Sequence, residues 1–183
     1  MVEDLAAESL GLARYVHACT HLTVSPNVIG SGVKANVIPE LGKAEVDFRA
    51  VPGQDGSTVH DHPAKVPAAD RDRISVRPVM DHEASSSLSR GPLWEAIVDS
   101  FDSLAGSRRV VPTLTPVTTD LRFFRDRGAI GYGVGWYDDR IEFPEFLSMF
   151  HGRNERVSIE SLQRTYELLG HTVEGFFERV GPD

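Results

Sequence analysis

The strongest constraint on the fold lies at the C-terminus, where Ile159, Leu162, Tyr166, Leu169, Val173 and Phe176 recur at helical intervals and make one apolar stripe. Ser158 is a good N-cap and Val157 stands where it can staple to Leu162, so the spacing predicts a helix over 159–179. With 183 residues the chain is long enough to bury a real core, as one domain of ordinary size or two small ones.

The rest of the chain reads as two patterned halves. Residues 3–18 are rich in Ala and Leu and predict a helix. Leu22–Ile29 and Lys43–Val51 read as strands, with a turn at Gly30-Ser31-Gly32 between them. Along the second strand Ala44, Val46, Phe48 and Ala50 alternate with Glu45, Asp47, Arg49 and Val51, which puts Asp47 and Arg49 on the same face. Pro63 and Pro67 predict a short or broken helix over 55–69, and Ile74–Val79 reads as a further strand. A stretch of small polar residues over 81–91 reads as a connection. Beyond it, Leu93, Ile97, Phe101 and Leu104 predict a helix from Pro92 to about Gly106. Val110–Val117 and Ala129–Val134 look like strands, and Asp120–Arg127 looks like a helix.

Charge and composition exclude several classes. Nineteen Lys plus Arg against 27 Asp plus Glu leave a formal charge of -8, which disfavours a general grip on nucleic acid or anionic membrane. No apolar run is long enough to span a membrane, and Met1-Val2-Glu3-Asp4 is acidic where a secretory signal is basic, so a cytoplasmic location is expected. The single cysteine, Cys19, rules out an internal disulfide and a thiolate cage, leaving His and carboxylates as the donors for any metal.

Four polar constellations bear on function. Phe150-His151-Gly152-Arg153-Asn154-Glu155-Arg156 precedes the last helix and offers His151 to a metal or as an acid or base; a plain surface loop with a capping Glu is the other reading. Thr119-Asp120-Leu121-Arg122 marks a strand-to-helix junction. The five donors of Arg122 suit a substrate carboxylate, and a structural pair with Asp126 at i+4 is equally economical. Asn36, held before Val37-Ile38-Pro39, can present its amide to an oxyanion or simply bond its own turn. His60-Asp61-His62 reads as a solvated polar turn, while Gly131-Tyr132-Gly133-Val134-Gly135 lacks the spacing of a phosphate loop.

In this order, the motifs resemble the zinc-dependent amidohydrolase and exopeptidase family that includes acetylornithine deacetylase, succinyl-diaminopimelate desuccinylase, carboxypeptidase G-type enzymes and aminoacylase-1. Four stretches carry the likeness: Thr23–Ile29 with Gly32–Pro39, Ala44–Arg49 with Pro52-Gly53, Thr119–Phe124, and Phe150–Val157. The resemblance implies an α/β fold, in which residues 1–80 are part of an α+β lid and dimerisation domain. Residues 81–91 are then the connection, and 92–183 the C-terminal part of the catalytic domain. It implies two zinc ions in the intact family, with His151 as the last zinc ligand. It also implies substrate contacts from Asn36, Arg49 and Arg122, a homodimer, and a small N-acyl amino acid or peptide as substrate.

The chain departs from the family pattern in having no His-x-Asp and no Glu-Glu pair, the motifs that carry the other zinc ligands and the general base. Catalytic zinc needs three protein ligands and a base for its water, and His151 is one ligand. No catalytic residue is therefore assigned within these 183 residues. Two functions are expected: the C-terminal portion of a metal-dependent amide hydrolase that lacks its N-terminal half and is inactive alone, or a non-catalytic dimerisation or binding module derived from that family.

Overall fold

The computed structural model describes residues 2–54, 56–60, 68–150 and 153–181. The elements run α1 (Val2–Glu8), α2 (Leu10–Thr20), β1 (Thr23–Ser31), β2 (Gly42–Arg49), α3 (Gly56–His60), α4 (Ala68–Arg71), α5 (Pro92–Ala105), α6 (Leu121–Arg125), α7 (Phe143–Ser148) and α8 (Ile159–Val180). Helices and a small antiparallel sheet give the expected α/β class. The chain divides into two compact units, one holding the residues up to Val16, Ser86–Leu114 and those from Thr118 on, the other His17–Ser85 with Thr115–Val117.

The first unit is built on the pairing of α5 with α8. Pro92 starts α5, and Gly106 ends it in a left-handed conformation at φ 64°, donating its N–H to the Asp102 carbonyl. Ala96 and Ile97 of α5 and Leu168 of α8 are buried, Leu168 fully at 0% exposure. Two buried hydroxyls join the helices: Thr172 Oγ1 donates to Ser100 Oγ at 3.2 Å, and Ser100 Oγ donates to the Ala96 carbonyl at 2.7 Å. At the rim Asp99 takes ion pairs from Arg179 and, at 2.7 Å, Arg108.

The boundaries of α8 match the periodicity, and Ser158 Oγ accepts the Ser161 N–H as an N-cap. The face it buries is the unexpected one. Ser161, Leu168 and Thr172 point inward, whereas Leu162 is 61% and Tyr166 80% exposed, with Ile159, Leu169, Val173 and Phe177 exposed beside them. Val157 is exposed as well, so the expected staple shields neither it nor Leu162. Small residues on the other face let α5 come close, while the large apolar side chains stay 43–80% exposed. Each forgoes part of the roughly 1.5–3 kcal/mol that full burial supplies.

In the second unit β1 and β2 form an antiparallel ribbon in which Thr23 faces Arg49 and Ser31 faces Gly42. The register shifts between Pro26 and Val28, leaving Asn27 as a bulge where Pro26 has no N–H to give the ladder. Gly32 follows β1 at φ 72°, a left-handed turn position suited to glycine.

The three strands expected outside the hairpin fail for one reason. Ile74–Val79, Val110–Val117 and Ala129–Val134 lie in extended or irregular backbone, and none pairs in a ladder with another described segment. Strand propensity needs a neighbouring strand to take up its N–H and C=O groups, and two strands alone are marginal. The expected helix over 3–18 is two helices instead. Ser9 interrupts it, its hydroxyl accepting the Leu12 N–H at 3.4 Å at the start of α2. The helix expected over Asp120–Arg127 shortens to α6, and Asp120 stands at its N-cap without a side-chain bond. Among the described residues no helix is long and apolar enough to cross a membrane.

Candidate functional site

The residues preceding α8 are tied to its first turns by polar contacts. The Asp138 N–H donates to Ser161 Oγ at 2.9 Å, the Trp136 N–H donates to Thr165 Oγ1 at 3.0 Å, and that hydroxyl donates back to the Trp136 carbonyl at 3.2 Å. Arg164 lies 5.3 Å from the Trp136 ring centroid and bonds Glu160 at 2.8 Å. The buried Asp138 carboxylate accepts from Arg140 Nε and Nη2, both at 2.8 Å, and from the Arg140 N–H at 3.1 Å. These bonds from Arg140 hold the Asp138 carboxyl well below the usual carboxylate range, at about 2. Spacing alone does not single out Asp138; only its burial beneath the α8 cap does.

Beside this strap Tyr137, Phe143, Phe146 and Phe150 form an aromatic cluster, with Tyr137 and Phe146 centroids 3.9 Å apart and Phe146 and Phe150 4.8 Å apart. The ends of the loop carrying the expected metal ligand are joined, since the Arg156 N–H donates to the Met149 carbonyl at 3.3 Å and Arg156 Nη2 pairs with Glu145 at 2.9 Å. His151 itself, with Gly152, lies outside the described residues. Among the described residues no three His, Cys, Asp or Glu side chains cluster as a metal ion requires. Those residues do not fit a two-metal centre by themselves.

The three expected substrate-binding residues fall in different places. Asn36 is exposed in the loop joining β1 to β2, at a turn closed by the Val37 N–H on the Lys34 carbonyl at 3.3 Å. Arg49 ends β2, roughly 23 Å along the strand from Gly42 and that loop. Its Nε donates to Asp47 Oδ2 at 2.7 Å, as the alternation of the strand predicts. The hairpin therefore keeps Asn36 and Arg49 at opposite ends. Arg122 belongs to the other unit, in α6. Its guanidinium lies 4.6 Å from the Phe123 ring centroid, and its Nε is buried with no hydrogen-bond partner among the described residues, so the i+4 pair with Asp126 does not account for it. A buried donor of that kind is costly and uncommon. Sequence supplies no signal for that burial. The His60-Asp61-His62 turn lies partly outside the described residues.

Residues 2–66 match the model of the peptidase dimerisation domain. Over 178 residues the chain is 24% identical to the probable carboxypeptidase S-like 2 of Dictyostelium discoideum, covering 95% of this chain and 33% of that protein. It is 25% identical over 176 residues to the human N-fatty-acyl-amino acid synthase/hydrolase PM20D1, covering 95% of this chain and 34% of that one. The mouse protein of the same name is 26% identical over 159 residues, 84% of this chain and 30% of its own length. No solved structure matches. The chain thus spans about a third of the length of these curated relatives. The chain is thus similar to the peptidase family that carries this dimerisation domain.

Proposed function

We propose that this chain is the C-terminal portion of a metal-dependent amide hydrolase acting on N-acyl amino acids or small peptides, and that it is incomplete as a catalyst by itself. One observation carries the reading: 95% of the chain aligns with relatives three times its length, one of them named a carboxypeptidase S-like protein and another an N-fatty-acyl-amino acid synthase/hydrolase. In this reading residues 1–80 are part of a lid that makes a homodimer, 81–91 are the connection, and 92–183 belong to the catalytic domain. The match to a dimerisation domain over 2–66 supports the first assignment.

Arg122 is the substrate anchor the reading favours most. Its Nε is buried with no hydrogen-bond partner among the described residues, and a substrate carboxylate or amide oxygen is an acceptor suited to it. Asn36 and Arg49 contribute contacts from the lid, and His151 supplies one ligand of a zinc centre whose remaining ligands and general base come from polypeptide outside the match.

The test is a single-chain chimera in which residues 1–183 replace the matched third of the Dictyostelium relative. We expect metal-dependent hydrolysis of an N-acyl amino acid, loss of that activity with His151→Ala, and a KM raised at least about tenfold with Arg122→Ala, the loss of one charged hydrogen bond. A folded chimera that binds no metal, with His151→Ala indistinguishable from it, contradicts the reading.

A further inference from the structure

The α2 helix ends on a pair of imidazoles. His17 stands in its last turn and His21 follows its last residue, and the His21 N–H donates to the His17 carbonyl at 2.9 Å, so the helical turn carries through to His21. Residues four apart on a helix lie one above the other. Here the rings meet, with centroids 4.4 Å apart and planes 5° from parallel, and both residues are exposed. Both belong to the same compact unit. Thr20 sets the chemistry of the second ring. Its hydroxyl donates to the His17 carbonyl at 3.4 Å and lies 2.8 Å from His21 Nδ1. With its hydrogen on the carbonyl, the hydroxyl accepts from Nδ1–H, which leaves the lone pair of the neutral ring on Nε2. A polar neighbour that fixes the tautomer in this way is the usual support of a metal-ligating histidine. The end of a helix is also its negative pole, where a cation is favoured.

We infer that His17 and His21 form a two-imidazole chelate for a late first-row divalent ion, nickel(II) or copper(II) foremost. Imidazole nitrogens suit these ions, whereas magnesium and calcium take oxygen donors. The rings need only turn about χ2, a broad torsion, for their lone pairs to converge on one ion. Waters fill the remaining positions of a tetragonal site. Among the described residues no third His, Cys, Asp or Glu side chain completes the pair. Two protein donors are fewer than a zinc centre takes, so the ion is held loosely, exchanges with solvent and is lost on dialysis. Binding clips residues 17 and 21 at helical spacing, and so favours the folded end of α2 over the unfolded chain. The site is separate from the zinc centre proposed above, in which neither histidine takes part, and each stands or fails without the other.

The test strips the full 183-residue chain of metal with a chelator and titrates it with nickel(II) by isothermal titration calorimetry. Nickel(II) is the probe because copper(II) would also oxidise Cys19. His17→Ala and His21→Ala should each weaken binding at least about tenfold, since losing a ligand costs no less than losing the partner that orients one. Helical circular dichroism should stay unchanged in both, because both side chains are exposed. Replacing His60 and His62 together by Ala should leave binding intact, and an excess of magnesium should not displace the nickel. Nickel should raise the Tm of the parent and leave that of the double variant His17→Ala/His21→Ala where it was, because only the folded turn holds two rings at this spacing. Nickel binding equal in the parent and the double variant overturns the proposal. So does binding lost with only one of the two single variants, which describes contact with a lone imidazole, and so does binding lost with His60 and His62.

Discussion

Asp138 shows how much one side chain can organise. Its N–H meets Ser161 and its carboxylate is clasped by Arg140, so the chain ahead of α8 and the cap of α8 are fastened at one point. The carboxyl is held at about 2, below its ordinary value, so the unfolded chain binds the proton more readily. The stabilisation is thus complete above about pH 4, the ordinary aspartate range, and is lost as the pH falls towards 2. Asp138→Asn should be less stable than the parent at pH 7, with the gap closing near pH 2. Urea midpoints at pH 7, 4 and 2.5 measure this, and a gap that stays constant with pH contradicts it. Arg122 marks the limit of sequence reading at this scale. Its donors are legible, but its buried Nε depends on how α6 packs.

At the scale of elements, α5 and α8 were the most legible because their signals are local: proline at the start of one, serine at the start of the other, and apolar residues at helical spacing. Which face of α8 turns inward was not legible. The strong stripe is the natural choice for a core, yet Ser161, Thr172 and Gly175 permit closer approach to α5, where a Cβ on Gly175 would come 3.8 Å from that of Ala96. The strands expected at 74–79, 110–117 and 129–134 do not form ladders among the described residues, because a strand is a property of a pair. The packing account makes Leu168 the centre of the α5–α8 contact. Leu168→Ala should cost about 2–5 kcal/mol in denaturant unfolding, against under 1 kcal/mol for the exposed Leu162→Ala. Similar costs at both positions contradict the assignment of faces.

For the whole molecule, α8 keeps its larger apolar side chains exposed and the described residues form one two-stranded ribbon, a sparse framework for a chain of 183 residues. The same shortage appears in chemistry, where the sequence holds no His-x-Asp and no Glu-Glu pair to stand beside His151. The family resemblance is legible in four ordered motifs; the candidate residues are not legible as one site, since Asn36 and Arg49 belong to one unit, Arg122 to the other, and His151 lies outside the described residues. The most direct test is the zinc content of the purified 183-residue chain after dialysis, set beside that of the single-chain chimera. The account predicts far less than one tightly held ion per molecule for the chain and a stoichiometric complement for the chimera; tight zinc and N-acyl amino acid hydrolysis by the chain unaided would contradict it.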